Sequence, residues 1–323
     1  MKEMDRFFHF ILIADLRRAL VRQLKPYTRK AKPTGTELGS GTYGTVIELT
    51  SAGETVAGKV FKTSSYIHQQ AMINKLCGEL SLMTQVHHPN IVQCKGVCLL
   101  VNQTMPVLLM ERLMSSLHAY LIDPMNSNLA LERKVSILGD VAGGLAYLHS
   151  HTPAIIHRDL TGMNVLLDLE LRAKIADFGN ARIMDLTPDA TPATFTSLPG
   201  TPEYMPPEAV DRSAKYGPSL DVFSFGHLSL FTIIQSPLYP LLPSTFIDAE
   251  GLHARSEVKR RKEYLDKAEQ LVGKKHSLVV LIKQCLHNDP ALRPRTTELV
   301  TRVQSTHTLP LSLSLSLSHS PTL

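Results

Sequence analysis

The sequence predicts an α+β protein of about two domains, with strands in its first third and helices in the rest. The chain has 323 residues, and roughly 150 residues per domain is a usual prior. Short apolar runs with turn residues between them fill residues 44–61 and 91–110, whereas residues 131–148 show the spacing of an amphipathic helix. Polar segments at residues 157–164 and 177–179 interrupt the later apolar runs, so they are the first candidates for a functional site.

Composition and charge are those of an ordinary globular protein. Apolar residues make up 43% of the chain, charged residues 20%, and the net charge is +5. This charge is mild and partly local to residues 17–32, so we predict no nucleic-acid partner. The apolar run at residues 7–14 is shorter than the roughly 20 residues of a membrane span, so we predict no transmembrane segment. The cysteines form no C-x-x-C pair, which favours reduced thiols and a cytoplasmic location; they are Cys77, Cys94, Cys98 and Cys285.

The most informative segment reads HRDLTGMN at residues 157–164 and is followed by DFG at 177–179. Residues 164–167 predict a short buried strand, and residues 171–176 predict a second strand that ends just before Asp177. Acidic groups at the ends of such a hairpin would face a cleft, where they could bind a divalent cation and accept a proton. Phosphoryl transfer needs little else beyond an in-line hydroxyl and fixed positive charge.

These two motifs together resemble the protein-kinase signature. The resemblance implies a two-lobed protein-kinase-like fold with a small β-rich N-lobe and a larger helical C-lobe. It implies ATP and Mg²⁺ as cofactors, with Asp159 accepting the proton of the substrate hydroxyl and with Asn164 and Asp177 holding the metal ions. His157 and Phe178 would pack beneath the site. For Asp159 alone, a solvated turn residue is the better interpretation, but the ordered match of both motifs favours the kinase.

A glycine-rich stretch, LGSGTYGTV at residues 38–46, has the form G-x-G-x-x-G-x-V. A dinucleotide-binding fold would need a helix to begin at the third glycine, but residues 46–49 are β-like and a turn follows. Strand, turn and strand is the kinase arrangement, in which glycine lets the backbone approach phosphate oxygens. The resemblance assigns ATP contacts in this stretch to Leu38, Gly39, Ser40, Gly41, Thr42, Tyr43, Gly44 and Val46.

A single lysine, Lys59, lies among apolar residues in VAGKV at positions 56–60. Such a lysine is costly to bury without a partner, and we expect the partner to be Glu79 on a helix predicted over residues 69–86. A surface lysine and a solvated glutamate are the alternatives for each residue taken alone. By resemblance, Lys59 is a catalytic residue that binds the phosphates and Ala57 contacts the nucleotide. Gly58 departs from the family pattern V-A-I-K.

Two further strands are predicted over residues 91–101 and 105–110, and the resemblance places the hinge between the lobes directly after them. The hinge backbone would bind adenine, with Met110 as gatekeeper. The remaining adenine-site residues that we predict are Glu111, Leu113 and Leu166. An ordinary core segment is the alternative for this apolar run.

A loop rich in threonine, proline and alanine spans residues 180–205 and ends in GTPEYMPPE, which resembles the end of a kinase activation segment. A loop of this length in a compact domain is usually functional. By resemblance, Glu208 in this motif would pair with Arg293, and Asp221 would cap the catalytic loop from beneath.

Some motifs resemble those of serine/threonine kinases, and others resemble those of tyrosine-kinase-like kinases. Thr161 stands where serine/threonine kinases usually have lysine, and Met163 stands where tyrosine kinases usually have arginine. Gly200-Thr201 has the serine/threonine form, and residues 116–121 look like the tyrosine-kinase-like group. We therefore predict a tyrosine-kinase-like protein kinase that phosphorylates serine or threonine of protein substrates in intracellular signalling, with tyrosine as an alternative acceptor.

A pseudokinase, which would bind nucleotide with little turnover and act as a scaffold, is the competing interpretation. Pseudokinases usually lack one of the residues that bind phosphate, metal or the substrate proton. This chain retains the whole set, namely Lys59, Glu79, Asp159, Asn164 and Asp177. We therefore rank the pseudokinase second.

We divide the chain into three parts. The kinase domain is predicted over residues 36–304, with its N-lobe over 36–112 and its C-lobe over 113–304. Residues 1–35 form an extension in which 7–24 have the spacing of a basic amphipathic helix. That helix would pack on the small lobe, with contact to a membrane surface as the lesser alternative. Residues 305–323 are of low complexity and are predicted to be disordered.

Overall fold

The structure is a computed structural model, and it describes residues 28–41, 44–61, 66–100, 106–184, 201, 204–209, 217–236 and 252–307. The chain divides into two compact units. The small unit contains the chain up to Met114 together with Asp177–Gly179, and the large unit contains Ser115–Ala176 and the chain from Asn180 onward. The predicted α+β class is confirmed, with a sheet in the small unit and mainly helices in the large one.

The small unit is built on a five-stranded antiparallel sheet in the order β1-β2-β3-β5-β4. Its apolar core combines residues of several strands, including Leu49, Val56 and Leu109. Successive side chains of a strand point to opposite faces of the sheet, so every second residue of each strand can contribute to this core. This explains why the apolar runs are rich in valine and leucine. The strands are β1 (Lys32–Gly41), β2 (Gly44–Ser51), β3 (Glu54–Phe61), β4 (Cys94–Cys98) and β5 (Val107–Glu111), and the one long helix described here is α1 (Tyr66–Met83).

Gly58, which departs from the family pattern, is explained by the packing of this core. A Cβ atom at residue 58 would overlap Leu49 Cδ1 and would lie 2.9 Å from Val107 Cγ1. Leu49 and Val107 are both fully buried, so they fill the space that a larger residue at position 58 would need. The glycine is therefore part of the packing of this particular core.

Residues 29 and 30, which lie shortly before β1, are hydrogen-bonded to the small unit. The Arg29 backbone N–H donates to Val97 O at 2.7 Å, and the Ser51 hydroxyl donates to Lys30 O at 2.9 Å. The first strand then begins at Lys32, before the predicted domain start at residue 36. The helix predicted over residues 7–24 lies outside the described residues.

The large unit is organised around α4 (Ser219–Ile234), in which Leu220 through Ile233 are buried. A helix that is apolar all round must be buried on all sides. Three helices pack against it: α3 (Leu131–Ser150), α5 (Leu252–Val272) and α6 (Ser277–Cys285). The other elements are α2 (Leu117–Ile122), α7 (Thr296–His307), and strands β6 (Ser115–Ser116), β7 (Ile155–Ile156), β8 (Val165–Leu167), β9 (Ala173–Ile175) and β10 (Arg182–Ile183).

The predicted hairpin before Asp177 is confirmed, because β8 pairs antiparallel with β9 and Val165 lies opposite Ile175. Predicted element ends are less accurate: α1 covers Tyr66–Met83 where residues 69–86 were predicted. Helix α7 continues to His307, and the rest of the predicted tail lies outside the described residues. Within the part of the chain that the structure describes, no helix is both long and apolar enough to span a membrane.

Candidate active site

The small unit brings Lys59, Glu79 and Asp177 together. The Lys59 ammonium on β3 lies 2.9 and 3.0 Å from the two carboxylate oxygens of Glu79 on α1, and 2.8 Å from Asp177 Oδ1. Lys59 is 8% exposed and Glu79 is 1% exposed. Burial alone lowers the pKa of Lys59, but the charges of Glu79 and Asp177 outweigh it and hold the pKa above its usual value. The predicted Lys59–Glu79 pair is therefore present, and the lysine is charged.

Asp177 adopts the left-handed backbone conformation, with φ of 59°. This conformation is rare outside glycine, although aspartate tolerates it better than most residues. It folds the chain back so that the Gly179 N–H donates to Asp177 Oδ1 at 3.2 Å. A Cβ at residue 179 would lie 2.7 Å from Lys75 Cε and 3.0 Å from Asp177 Oδ1. The glycine of the DFG motif thus leaves room for the Lys75 side chain and the Asp177 carboxylate beside the turn.

The strand, turn and strand predicted from the third glycine onward are present, because β2 (Gly44–Ser51) and β3 (Glu54–Phe61) are joined by a turn at residues 52–53. Gly41 at the end of β1 lies opposite Gly44 at the start of β2, and Val46 lies opposite Lys59 on the neighbouring strand. Opposed residues of an antiparallel pair point to the same face, so Val46 is beside the lysine. Thr42 and Tyr43, which were also predicted to contact ATP, lie outside the described residues.

The residues predicted to form the hinge overlap the end of β5, which runs to Glu111. Met110 is buried and lies opposite Ala57, and the Glu111 N–H donates to Gln93 O at 3.0 Å. The sequence did not reveal that Arg112 Nε lies 3.3 Å from Glu48 Oε2 on β2. These contacts anchor the end of β5 to the sheet directly before Leu113.

In the large unit, Asp159 is held through both of its carboxylate oxygens. Oδ1 accepts hydrogen bonds from the Thr201 N–H at 3.0 Å and from the Thr201 hydroxyl at 3.1 Å. Oδ2 accepts from Asn180 Nδ2 at 3.2 Å. In the serine/threonine form of the Gly200-Thr201 motif, which this chain resembles, the threonine hydroxyl braces the catalytic aspartate, and this contact is present. Asn180 was missed, since its only signal in the sequence is an amide directly after the DFG motif. These donors orient the carboxylate of the predicted proton acceptor.

Asp221 lies beneath the catalytic loop and holds its backbone. Its oxygens accept from the N–H groups of His157 and Arg158, both at 2.8 Å, and from His149 Nε2 at 2.8 Å. Burial alone would raise the pKa of Asp221, but the hydrogen bond and charge of His149 lower it overall. Arg158 has a left-handed φ of 69°, and the buried carboxylate bonds the N–H of that strained residue.

His157 links the catalytic loop to the strand that precedes Asp177. Its Nδ1 accepts from the Asp159 N–H at 3.3 Å, so its Nε2 carries the hydrogen and donates to Ala176 O at 2.9 Å. Both bonds require a neutral ring in this one tautomer. The structural role predicted for His157 is therefore supported by its contacts.

Asn164 is fixed on several sides. Its Nδ2 donates to Asp159 O at 2.8 Å, and its backbone O accepts from the Ala176 N–H at 2.8 Å. Because the amide nitrogen is committed to Asp159, the amide oxygen points the other way. Amide and carboxylate oxygens are the ligands that Mg²⁺ prefers, so the chemistry of Asn164 and Asp177 fits this metal.

A hollow of about 260 Å³ opens to solvent beside Asp159 and Thr201. Much of its wall is apolar and comes from Met205, Pro206 and Leu220. The segment that forms this wall is tied to the large unit by the predicted ion pair of Glu208 with Arg293, whose nitrogens lie 2.5 and 2.8 Å from the carboxylate oxygens. The hollow therefore has a fixed wall next to the proton acceptor.

A lysine held by a helix glutamate and a DFG aspartate, in one unit, and an oriented HRD aspartate, in the other, define a protein kinase. Comparison with known proteins agrees, because the family described as the protein kinase domain matches residues 33–303. The chain belongs to this family. The predicted resemblance to protein kinases, and within them to the tyrosine-kinase-like group, is confirmed.

Several curated proteins are similar to this chain. LysM domain receptor-like kinase 10 of Oryza sativa subsp. japonica is 31% identical over 272 residues, which cover 80% of this chain and 43% of that relative. Serine/threonine-protein kinase CTR1 of Arabidopsis thaliana is 29% identical over 263 residues, which cover 80% and 29%. Serine/threonine-protein kinase TNNI3K of Homo sapiens is 32% identical over 198 residues, which cover 61% and 23%. The chain thus spans less than half the length of each of these relatives.

Proposed function

We propose that this protein is an ATP- and Mg²⁺-dependent protein kinase that transfers the γ-phosphoryl group of ATP to serine or threonine hydroxyls of protein substrates in cytoplasmic signalling. The observation that carries the proposal is the buried Lys59 ammonium, held at 2.9 Å by Glu79 and at 2.8 Å by Asp177. Burying a cation with this pair of anions carries a desolvation cost, and strongly perturbed charged groups of this kind cluster at functional sites. The fixed positive charge that phosphoryl transfer requires is therefore in place.

The small unit supplies the groups that bind the nucleotide. Gly39, Gly41 and Gly44 on the paired strands β1 and β2 offer backbone to the phosphates, and Lys59 offers its ammonium. Asp177 and the amide oxygen of Asn164 would hold Mg²⁺. Held by these two residues, Mg²⁺ would supply positive charge against the negative charge of the phosphates.

The large unit supplies the proton acceptor. Asp159 would take the proton of the attacking hydroxyl, and its bonds to Thr201 and Asn180 hold the carboxylate in one orientation. A positioned base of this kind typically contributes about 10² to 10⁴ in rate. The apolar wall of the neighbouring hollow would contact the substrate segment that carries the acceptor hydroxyl.

Serine or threonine is the favoured acceptor because Thr201, in the serine/threonine form of the motif, binds Asp159 through both its N–H and its hydroxyl. Two of the relatives are named serine/threonine-protein kinases, which supports the same choice. Tyrosine is the alternative acceptor, since Thr161 and Met163 match neither class of catalytic loop.

A pseudokinase is the second candidate, and one observation favours it: Thr161 replaces the lysine that would add positive charge beside the transferred phosphoryl group. Turnover decides between the two. The full chain is incubated with γ-labelled ATP, MgCl₂ and a generic protein substrate, and phosphoamino-acid analysis identifies the acceptor. We expect label on serine or threonine from the native protein and none from Asp159→Asn. If the native protein binds ATP but labels the substrate no more than Asp159→Asn does, the protein is a pseudokinase.

The division of roles between the two aspartates has its own test. Asparagine has nearly the same shape as aspartate, and Asp159 is assigned a role only in accepting the substrate proton. The Asp159→Asn variant should therefore bind Mg²⁺ and nucleotide like the native protein. Asp177→Asn removes a metal ligand and a partner of Lys59, so it should weaken nucleotide binding when MgCl₂ is present. Equal behaviour of the two variants in a binding titration would contradict these assignments.

A further inference from the structure

Thr161 occupies the catalytic-loop position at which serine/threonine kinases usually have lysine, yet its side chain is turned inward. It is 3% exposed. Its hydroxyl oxygen accepts hydrogen bonds from the Met163 N–H at 3.2 Å and from the Asn164 N–H at 3.3 Å. A lysine side chain has donors only, so it could not make either bond. Compared with the usual lysine, threonine at this position lacks the positive charge but accepts hydrogen bonds from the backbone of the loop.

The turn that Thr161 caps ends at the predicted metal ligand. The Asn164 N–H also bonds Thr161 O at 3.1 Å, so hydroxyl and carbonyl of one residue share this donor. Beyond the turn, Asn164 O accepts from the Ala176 N–H, and Asn164 Nδ2 donates to Asp159 O. The backbone of Asn164 is thus fixed on the Thr161 side and on the Ala176 side, while its amide is oriented by Asp159.

We propose that Thr161 is a positioning residue that acts through Asn164 on the binding of Mg²⁺ and nucleotide. The inference rests on the proposed function, because it takes Asn164 as a ligand of Mg²⁺. With the lysine charge absent, the site depends more on a correctly placed metal ligand, and the Thr161 hydroxyl provides that placement. Partners that orient a metal ligand typically change metal affinity by about 10- to 100-fold when they are removed.

Threonine suits this role because its branched Cβ restricts the rotation of χ1, which keeps the hydroxyl on the backbone N–H groups. Valine has nearly the same shape and lacks the acceptor, whereas serine keeps the acceptor and lacks the methyl group. The pair Thr161→Val and Thr161→Ser therefore separates the hydrogen bonds from the packing.

A matched control is available in the same unit. Asp168, in the turn between β8 and β9, likewise caps two backbone N–H groups, those of Glu170 at 3.1 Å and Arg172 at 2.8 Å. We assign Asp168 no part in binding metal or nucleotide. Asp168→Ala should therefore lower the melting temperature and leave the binding of Mg²⁺ and nucleotide unchanged.

The experiment measures binding of a non-hydrolysable ATP analogue by calorimetry at increasing MgCl₂, together with the melting temperature of each protein without ligand. We expect Thr161→Val to raise the MgCl₂ concentration for half-maximal affinity by about tenfold, as for loss of a partner that orients a metal ligand. Thr161→Ser should stay close to the native value. Without MgCl₂ the native, valine and serine proteins should bind the analogue equally.

The inference would be overturned if Thr161→Val reached half-maximal affinity at the native MgCl₂ concentration, whatever its melting temperature. It would also be overturned if Asp168→Ala raised that concentration as much as Thr161→Val does. If the valine variant does not fold, Thr161→Ala is compared with Thr161→Ser by the same criterion. A native protein that shows no MgCl₂-dependent binding of the analogue would instead refute the proposed function, and this inference with it.

Discussion

Arg293 binds Glu208 with both terminal nitrogens of its guanidinium, although 85 residues separate the two in the chain. The Arg293 side chain is fully buried, its Nε donates to His287 O, and its guanidinium lies over the Phe223 ring at 4.8 Å from the ring centre. A planar guanidinium that meets a carboxylate in this way forms a strong, directional pair. This buried pair therefore helps to hold residues 204–209 in place within the large unit.

Arg293→Ala is predicted to lower the free energy of unfolding by about 3 to 5 kcal/mol, because it leaves the Glu208 carboxylate without its partner. Arg172→Ala is the control, since Arg172 is 66% exposed and pairs with Asp168 near the surface. Its loss should cost under about 1 kcal/mol. Urea unfolding of both variants checks the difference, and equal losses would contradict the assigned importance of the buried pair.

Lys59 and Glu79 are predicted to be coupled in stability as well as in function. Lys59→Met should abolish phosphoryl transfer, and it should also destabilise the protein because Glu79 is left buried without the lysine. The double variant Lys59→Met with Glu79→Met should be more stable than Lys59→Met alone, since it buries no unpaired carboxylate. Thermal unfolding of the two single variants and the double variant measures the coupling, and additive losses would show that the two residues do not interact.

His227 should make the protein less stable in mild acid. Burial, together with the charge of Arg261, lowers the pKa of His227 to about 3 from its usual value of 6.5. As the pH falls below 6.5, the unfolded chain binds a proton that the folded protein does not, so the unfolded state gains stability. Between about pH 7.5 and about pH 5.5 this residue should cost about 1.4 kcal/mol of folding stability.

The measurement is the difference in unfolding free energy between the native protein and His227→Gln across that pH range. The variant lacks the titrating group, so its stability should fall less with acid than that of the native protein. A His227→Gln protein whose stability falls as steeply as the native one would refute the assignment.

Gly58→Ala should destabilise the small unit although alanine is ordinarily better than glycine in a strand. The added Cβ meets Leu49 and Val107, and overpacking of a core typically costs about 1 to 3 kcal/mol. Gly78→Ala is the control: position 78 lies on α1 with nothing within 4 Å of an added Cβ, so this change should stabilise by about 1 kcal/mol. Stabilisation by both substitutions, measured by denaturant unfolding, would show that the core can accommodate the extra atom.

The sequence alone predicted the residues of the candidate site, because its motifs resemble those of protein kinases in both residue type and short spacing. HRDLTGMN and DFG lie within single loops, so their side chains stay neighbours in any fold that keeps those loops. The pairing of Lys59 with Glu79 was also predictable, since a lysine on an apolar strand needs an acid. Element ends were predicted less well: α1 covers 66–83 rather than 69–86, because apolar spacing marks the buried face of a helix and not its ends.

Tertiary structure decided what orients these residues. Asn180 reaches Asp159 across 21 residues, His149 reaches Asp221 across 72, and Arg112 reaches Glu48 across 64. Such contacts depend on the path of the chain between the partners, which local periodicity does not specify. The same holds for Thr161, whose residue type shows that a lysine is missing, while only the folded loop shows that its hydroxyl caps the backbone of Asn164.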